Sequence, residues 1–69
     1  MNWLEIEGKW KEMRGRVRER WGRLTDDDLD VIAGRRDQLL GVLQQRYGAT
    51  VQQIEEQVHD FERRILAHR

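Results

Sequence analysis

Four aspartates have a spacing that suits a calcium ion. Asp26, Asp28 and Asp30 alternate along the chain as the first ligands of a calcium-binding loop do. Asp37 stands at the last ligand place of the same loop, where a glutamate is normal, and Val31 stands where the sharp turn requires glycine. Carboxylates are also favoured at a helix start by the helix dipole. We therefore predict that these aspartates begin a helix, with no metal and no cofactor bound.

Side chains that could act as a nucleophile or a general base are few. The chain of 69 residues has no cysteine, and its histidines are His59 and His68. Its aliphatic hydroxyls are Thr25 and Thr50, each placed where a helix N-cap is expected. A nucleophilic site needs a nucleophile, a base and a group that orients the base, and these residues do not form such a set. The sequence predicts no catalytic residue and a protein that is not an enzyme.

A basic segment is the strongest sign of a binding function. Residues 8–23 hold seven lysines and arginines against two glutamates, a local charge of +5 in a chain whose net charge is zero. A helix with this charge could bind nucleic-acid phosphates without reading base sequence. The candidate contacts are Arg14, Arg16, Arg18 and Arg20. The same cations flank an apolar stripe, which leaves two structural alternatives. Their long aliphatic stems could lie along the buried stripe with the charged ends in water, or they could form ion pairs with the acidic second helix.

Tryptophans beside these cations would also suit a helix at a membrane surface. Trp3, Trp10 and Trp21 share the stripe that the cations flank. Further helices offer apolar stripes that need burial, so we expect these tryptophans to form a protein core instead. No apolar run approaches membrane-spanning length, and the first residues lack the basic and apolar regions of a signal peptide. We expect no membrane association and a cytoplasmic protein.

Four helices are expected to position these side chains. They are predicted over residues 2–21, 26–33, 35–47 and 51–66, from apolar residues spaced by three and four. The clearest stripes are Trp3, Ile6, Trp10, Met13, Val17 and Trp21 in the first helix, and Val51, Ile54, Val58, Phe61 and Ile65 in the fourth. The first helix also carries ion pairs one turn apart, Glu5–Lys9, Glu7–Lys11, Glu12–Arg16 and Glu19–Arg23. This pattern predicts a continuous and stable first helix.

The turns between these helices carry capping residues. Gly22 and Gly48 each follow an aromatic residue and are predicted to end a helix in the left-handed conformation. Thr25 is a predicted N-cap, and Thr50 with Gln53 has the spacing of a capping box. The glycines recur at 8, 15 and 22 and again at 34, 41 and 48, which indicates two similar halves. Two αα-hairpins packed across each other would bury all four stripes.

Three glycines lie nearly opposite the apolar stripes. Gly8, Gly15 and Gly41 are predicted inside helices, where glycine costs about 0.5–1 kcal/mol relative to alanine. They indicate a solvent-exposed face, a break in the first helix near Gly8, or a face closely approached by a partner. We leave these alternatives open.

Composition leaves disorder as an alternative to a folded domain. Charged residues make up 38% of the chain, and its mean hydropathy is −0.93. Leucine, isoleucine, valine and phenylalanine nevertheless total 17 of 69 residues, above the roughly 20% typical of disordered chains. With zero net charge as well, the composition favours one folded domain over residues 1–69.

Sequence motifs extend over residues 1–62. They are Gly8-Lys9-Trp10-Lys11, Gly15-Arg16-Val17-Arg18-Glu19-Arg20-Trp21-Gly22, Leu24-Thr25-Asp26-Asp27-Asp28-Leu29, Gly34-Arg35-Arg36-Asp37-Gln38-Leu39, Gly41 and Gln45-Arg46-Tyr47-Gly48. As a set they resemble the CsbD-like family of small bacterial general-stress proteins. Arginine replaces the usual lysine at several positions, and Val42 stands where the resemblance leads us to expect lysine.

The resemblance implies a compact domain of two crossed hairpins, similar to the SAM-domain arrangement, and stress-induced expression. It implies no catalytic residues. We predict an all-α, non-enzymatic, stress-associated protein of four short helices, a monomer or weak homodimer, acting by contacts with an unidentified protein. The glycine-marked face of the first and third helices is the predicted contact surface. The alternative is weak, sequence-independent nucleic-acid binding through the basic first helix.

Overall fold

The computed structural model describes residues 3–67 and contains five α-helices joined by short turns. They are α1 (Trp3–Gly8), α2 (Trp10–Arg20), α3 (Asp26–Ile32), α4 (Arg36–Tyr47) and α5 (Val51–Ala67). The described residues contain no strand, so the predicted all-α class is confirmed. The last three helices each differ from their predicted bounds by one residue at one end.

The predicted first helix, residues 2–21, is divided into α1 and α2. Lys9 interrupts it with φ −109° and ψ 24°, well away from helical values. Gly8, immediately before Lys9, is a poor helix former because its backbone loses the most conformational freedom on folding. The expected continuous helix is therefore wrong, and the alternative of a break near Gly8 is confirmed. Residues 3–67 therefore form five helices where four were predicted.

Two capping boxes begin α3 and α5. The Thr25 hydroxyl accepts a hydrogen bond from the Asp28 N–H at 3.1 Å, and the Asp28 carboxylate accepts one from the Thr25 N–H at 3.0 Å. Thr50 and Gln53 form the same reciprocal pair, with both bonds at 3.2 Å. Gly48 ends α4 in the left-handed conformation with φ 63°. The predicted caps at Thr25, Gly48 and Thr50 are confirmed.

The turn after α2 differs from the prediction. Within residues 3–67 the left-handed positions are Ala33, Gly34 and Gly48, so the left-handed conformation predicted for Gly22 is wrong. Helix α2 instead ends at Arg20, and its C-cap residue Trp21 has φ −127° and ψ 85°. Because Trp21 already leaves the helical region, the chain turns without a left-handed residue there.

One hydrophobic core joins all five helices. Its buried side chains are Ile6, Met13, Val17, Trp21, Leu24, Leu29, Ile32, Leu39, Val42, Leu43, Ile54, Val58, Phe61 and Ile65. Helix α4 packs against both α3 and α5, and α1 packs against α2. The indole Nε1 of Trp21 donates to Gln57 Oε1 of α5 at 3.0 Å. The crossed-hairpin, SAM-domain-like arrangement stays a prediction.

Helix α1 meets the turn between α3 and α4 at Gly34. This glycine has φ +80°, and a Cβ built on it would lie 2.5 Å from the Cα of Glu7. Only glycine permits both the left-handed backbone and the close approach. The contact helps to hold α1 in place, and Ile6 of α1 is only 3% exposed.

Two arginines of α4 form ion pairs with the neighbouring helices. Arg46 donates to both carboxylate oxygens of Asp28, at 2.7 and 2.8 Å. Arg36 donates to Glu62 at 2.8 Å and to Glu55 at 3.3 and 3.4 Å. Two hydrogen bonds lower the pKa of Asp28 from 3.8 to about 2. The bond from the Arg46 guanidinium has the larger effect, and the bond from the backbone N–H of Thr25 has the next largest. Hydrogen bonds from Arg36 to Glu62 and Glu55 raise the pKa of Arg36.

The Asp28–Arg46 pair predicts a specific pH dependence of stability. Since folding lowers the pKa of Asp28, its charged form stabilises the fold fully above the unfolded pKa of 3.8 and progressively less as the pH falls towards 2. We expect Asp28→Asn to lower the melting temperature at pH 7, and the difference from wild type to shrink between pH 5 and about pH 2. Asp27→Asn removes the same charge from an exposed position on the same helix and should change little. A difference for Asp28→Asn that is constant with pH would contradict this assignment.

Two exposed glycines predict stabilising substitutions. Gly15 and Gly41 lie inside α2 and α4, and an added Cβ at either would meet nothing within 4 Å. Alanine at each position should raise the free energy of unfolding by about 0.5–1 kcal/mol, because it restricts the unfolded chain. Urea unfolding followed by circular dichroism measures the change. Destabilisation by Gly15→Ala would show that something other than open solvent faces that position.

Candidate interaction groove beside the second helix

The arginines of α2 extend from two opposite flanks of the helix. On one flank, Arg14 Nη1 lies 3.3 Å from an Asp30 carboxylate oxygen, and Arg18 Nη1 lies 2.8 Å from one of Asp26. Arg14 Nη2 is also 3.9 Å from Asp26. The acidic helix α3 thus neutralises this flank, which was one of the alternatives expected from the sequence.

The other flank of α2 faces the end of α5 across an open groove of about 280 Å³. We call it the arginine groove, and its lining residues are Arg16, Glu19, Arg20, Phe61, Arg64 and Ile65. Phe61 and Ile65 are nearly buried and belong to the core, so the floor is apolar. Of the described side chains, three arginines and one glutamate line the groove around this floor.

The three arginines of the groove differ in their partners. Arg20 places its guanidinium carbon 5.3 Å from the centroid of the Trp21 ring, a cation–π contact. Arg64 lies 3.3 Å from a carboxylate oxygen of Asp60. Within residues 3–67, Arg16 takes part in no ion pair, and the expected pair with Glu12 does not form. Among the three arginines of the groove, Arg16 and Arg20 are therefore the two that form no ion pair within the described residues.

The predicted nucleic-acid contacts are divided by this geometry. Arg14 and Arg18 pair with α3, whereas Arg16 and Arg20 line the arginine groove. The four do not form one row of free charges. Arg64, Phe61 and Ile65 complete the groove and were not predicted as site residues, because they lie more than 40 residues further along the chain.

Comparison with known proteins decides the family. A model of the CsbD-like family matches residues 5–56 of the chain. The chain belongs to the CsbD-like family. It is 52% identical over 64 residues to UPF0337 protein YjbJ of Escherichia coli (strain K12), covering 93% of both chains. The protein of that name from Salmonella typhimurium is also 52% identical, over 93% of this chain and 91% of the relative.

A third relative extends this likeness. UPF0337 protein RPA4217 of Rhodopseudomonas palustris is 57% identical over 61 residues, covering 88% of this chain and 92% of the relative. The family match ends at residue 56, within α5. In this CsbD-like chain the α2 side of the arginine groove lies inside the matched segment, and the α5 side lies beyond it.

The aspartates that resembled a calcium loop form a helix cap and ion pairs in this CsbD-like chain. Asp26, Asp28 and Asp30 lie in helix α3, where a calcium loop would require an irregular turn. Asp28 caps the helix and pairs with Arg46, while Asp26 and Asp30 pair with α2. Residues 3–67 hold no cluster of side chains that could bind a metal ion.

The hydroxyls and histidines have no catalytic arrangement in the described part. Both threonine hydroxyls, those of Thr25 and Thr50, accept the N–H bonds of their capping boxes. His59 is exposed on the surface of α5. His68 lies outside the described residues.

The tryptophans belong to the protein interior. Trp21 is 1% exposed, and Trp3 and Trp10 pack against the core while partly buried. Trp10 Nε1 donates to the carbonyl of Leu29 at 3.2 Å, which joins α2 to α3. The expected core role of these residues is confirmed. None of the helices between residues 3 and 67 has the length and apolar character needed to cross a bilayer.

Proposed function

We propose that this CsbD-like chain is a non-enzymatic, stress-associated helical protein that acts in the cytoplasm by binding another protein. Membership of the CsbD-like family supports the stress association. The observation that supports a binding role is the division of the α2 arginines, because Arg14 and Arg18 form ion pairs with α3 whereas Arg16 and Arg20 form none within the described residues. Cations that the fold does not use for its own ion pairs are available to a partner.

The glycine-marked face remains a second proposed contact surface. Gly8, Gly15 and Gly41 each have open space where a side chain would stand, so a partner backbone could approach closely. A glycine contributes no charged side chain to such a contact. We therefore expect it to add to binding rather than to select the partner.

Crosslinking in stressed and unstressed bacterial cells tests the proposed function. The tagged full chain is expressed in Escherichia coli, which has a relative 52% identical to it, and crosslinked complexes are recovered with and without nuclease. We expect nuclease-resistant protein adducts that increase under stress. Recovery of only the uncrosslinked chain under both conditions would contradict a role through protein contacts.

Nucleic-acid binding is the alternative proposal, and the arginine groove is its candidate contact surface. Arg16, Arg20 and Arg64 line one groove, so they could contact adjacent phosphates. Two or three such contacts predict a slope of roughly −2 to −3 when the logarithm of duplex affinity is plotted against that of salt concentration. Gel shifts at several salt concentrations measure this slope. Arg16→Glu is the test variant and Arg35→Glu is the control. Adducts lost on nuclease treatment would favour this alternative.

A further inference from the structure

We propose that the arginine groove binds an acidic segment of a partner protein, one that places an apolar side chain between carboxylates. This inference rests on the proposed function and names the surface and the chemistry of the partner. It follows from three features of the groove: the charge around it, the character of its floor and its size.

Charge selects an acidic partner. Among the described side chains, Arg16, Arg20 and Arg64 line the groove with one carboxylate, that of Glu19, and Asp60 pairs with Arg64 from outside the lining. Guanidinium groups present paired N–H donors that fit carboxylates well. A basic segment would meet three like charges here, so the groove discriminates by repulsion as well as attraction.

The floor selects an apolar side chain between those carboxylates. Phe61 and Ile65 are 5% and 8% exposed, so each presents an edge at the bottom of the groove while the rest of its side chain lies in the core. An ion-pair surface alone would contribute little in water, because exposed salt bridges are weak. An apolar group covering this floor would exclude water from the surrounding charges and strengthen their pairing.

The size of the groove favours a peptide over a small metabolite. Its volume of about 280 Å³ is at or below the lower end of pockets that enclose drug-sized ligands, roughly 300–1,000 Å³. The groove is also open to solvent. A segment lying across it, with one apolar side chain inserted, fits this shape better than an enclosed ligand does.

Fluorescence anisotropy with a defined peptide tests the proposal. The probe is a short fluorescein-labelled peptide in which one leucine is flanked on each side by two glutamates. The test variant carries Arg16→Gln and Arg64→Gln, which leaves Arg20 in its contact with Trp21. The matched control carries Arg35→Gln and Arg63→Gln, two exposed arginines outside the groove. Both variants lose two positive charges.

We expect the test variant to weaken peptide binding by about tenfold or more and the control by less than about twofold. Amide chemical shifts should change mainly at Arg16, Glu19, Arg20 and Arg64. A peptide with serine in place of leucine should bind more weakly, and one with lysine in place of glutamate should not bind. Equal losses in both variants, or equal binding of the serine peptide, would overturn the proposal. So would duplex DNA that binds the groove more tightly than the peptide, or shifts caused by self-association of the chain.

Different results would contradict the proposed function and the groove assignment. If crosslinking captures a protein from cells with equal yield from wild type and the Arg16→Gln, Arg64→Gln variant, the proposed function stands and the groove assignment falls. If the peptide binds the groove but no cellular protein is captured, the groove chemistry stands and the proposed function falls.

Discussion

The Trp21→Ala variant is expected to lose most of its folded population in dilute buffer at 25 °C. Trp21 is 1% exposed, its ring lies 5.2 Å from that of Phe61, and its Nε1 is bonded to Gln57. Truncating a buried tryptophan costs about 3–5 kcal/mol. A domain of 69 residues has a total stability of roughly 3–10 kcal/mol at typical values per residue. The loss is therefore of the same order as the whole free energy of unfolding.

Urea and thermal unfolding followed by circular dichroism measure this loss. Trp21→Phe is the informative companion, because it keeps an aromatic ring in the core but removes the donor to Gln57, and it should retain a folded state of lower stability. Trp10→Ala, at a partly buried position, should cost less than Trp21→Ala. A melting temperature for Trp21→Ala within a few degrees of wild type would show that Trp21 does not hold α2 and α5 together.

Gly34→Ala is expected to release helix α1 from the rest of the domain. The added Cβ would lie 2.5 Å from the Cα of Glu7 and 3.1 Å from its nitrogen, so backbone must move. The left-handed conformation at Gly34 adds about 1–2 kcal/mol for a residue with a side chain. Exposing Ile6 when α1 moves away forfeits about 1.5–3 kcal/mol more. A local response is separation of the six-residue helix α1, which contributes one buried side chain, Ile6, and the partly buried Trp3.

Amide hydrogen exchange distinguishes local release from global unfolding. In Gly34→Ala we expect the amides of α1 to exchange rapidly while those of α4 and α5 remain protected. Gly41→Ala is the matched control, since the same chemical change at an open position should stabilise the protein. Wild-type protection of α1 in the Gly34→Ala variant would contradict the close approach to Glu7.

The sequence predicted the features that depend on neighbouring residues. The N-cap at Thr25, the capping box at Thr50 and the left-handed Gly48 involve residues at most four apart, so their chemistry is visible in a short stretch. Burial also accounts for Val42, where the family resemblance had led us to expect lysine. Its side chain is 9% exposed and belongs to the core.

The break at Lys9 was expected only as one of several alternatives, and the backbone conformation predicted for Gly22 was wrong. The ion-pair pattern of the first helix favoured continuity, but Glu7–Lys11 and Glu19–Arg23 do not pair within the described residues. Packing of α1 against Gly34 requires a change of direction that local propensity does not encode. At Gly22, the burial of the preceding tryptophan decides how the chain leaves α2.

The candidate site was predicted only in part for the same reason. The alternation of arginines in α2 is plain in the sequence, but which flank is neutralised depends on where the turn after Trp21 places Asp26 and Asp30. Arg64 joins Arg16 only because α5 returns alongside α2. Such pairings connect residues far apart in the chain, and spacing alone does not predict them.

The floor of the arginine groove is made from core residues, and this ties occupancy to folding. Phe61 and Ile65 reach their positions only when the core is assembled, so the unfolded chain has no site to offer. By mass action, a ligand present at 100 times its dissociation constant would then add about 2.7 kcal/mol to stability. For a domain this small, that is a large share of the total. The abundance of the folded form would then rise and fall with the concentration of its partner.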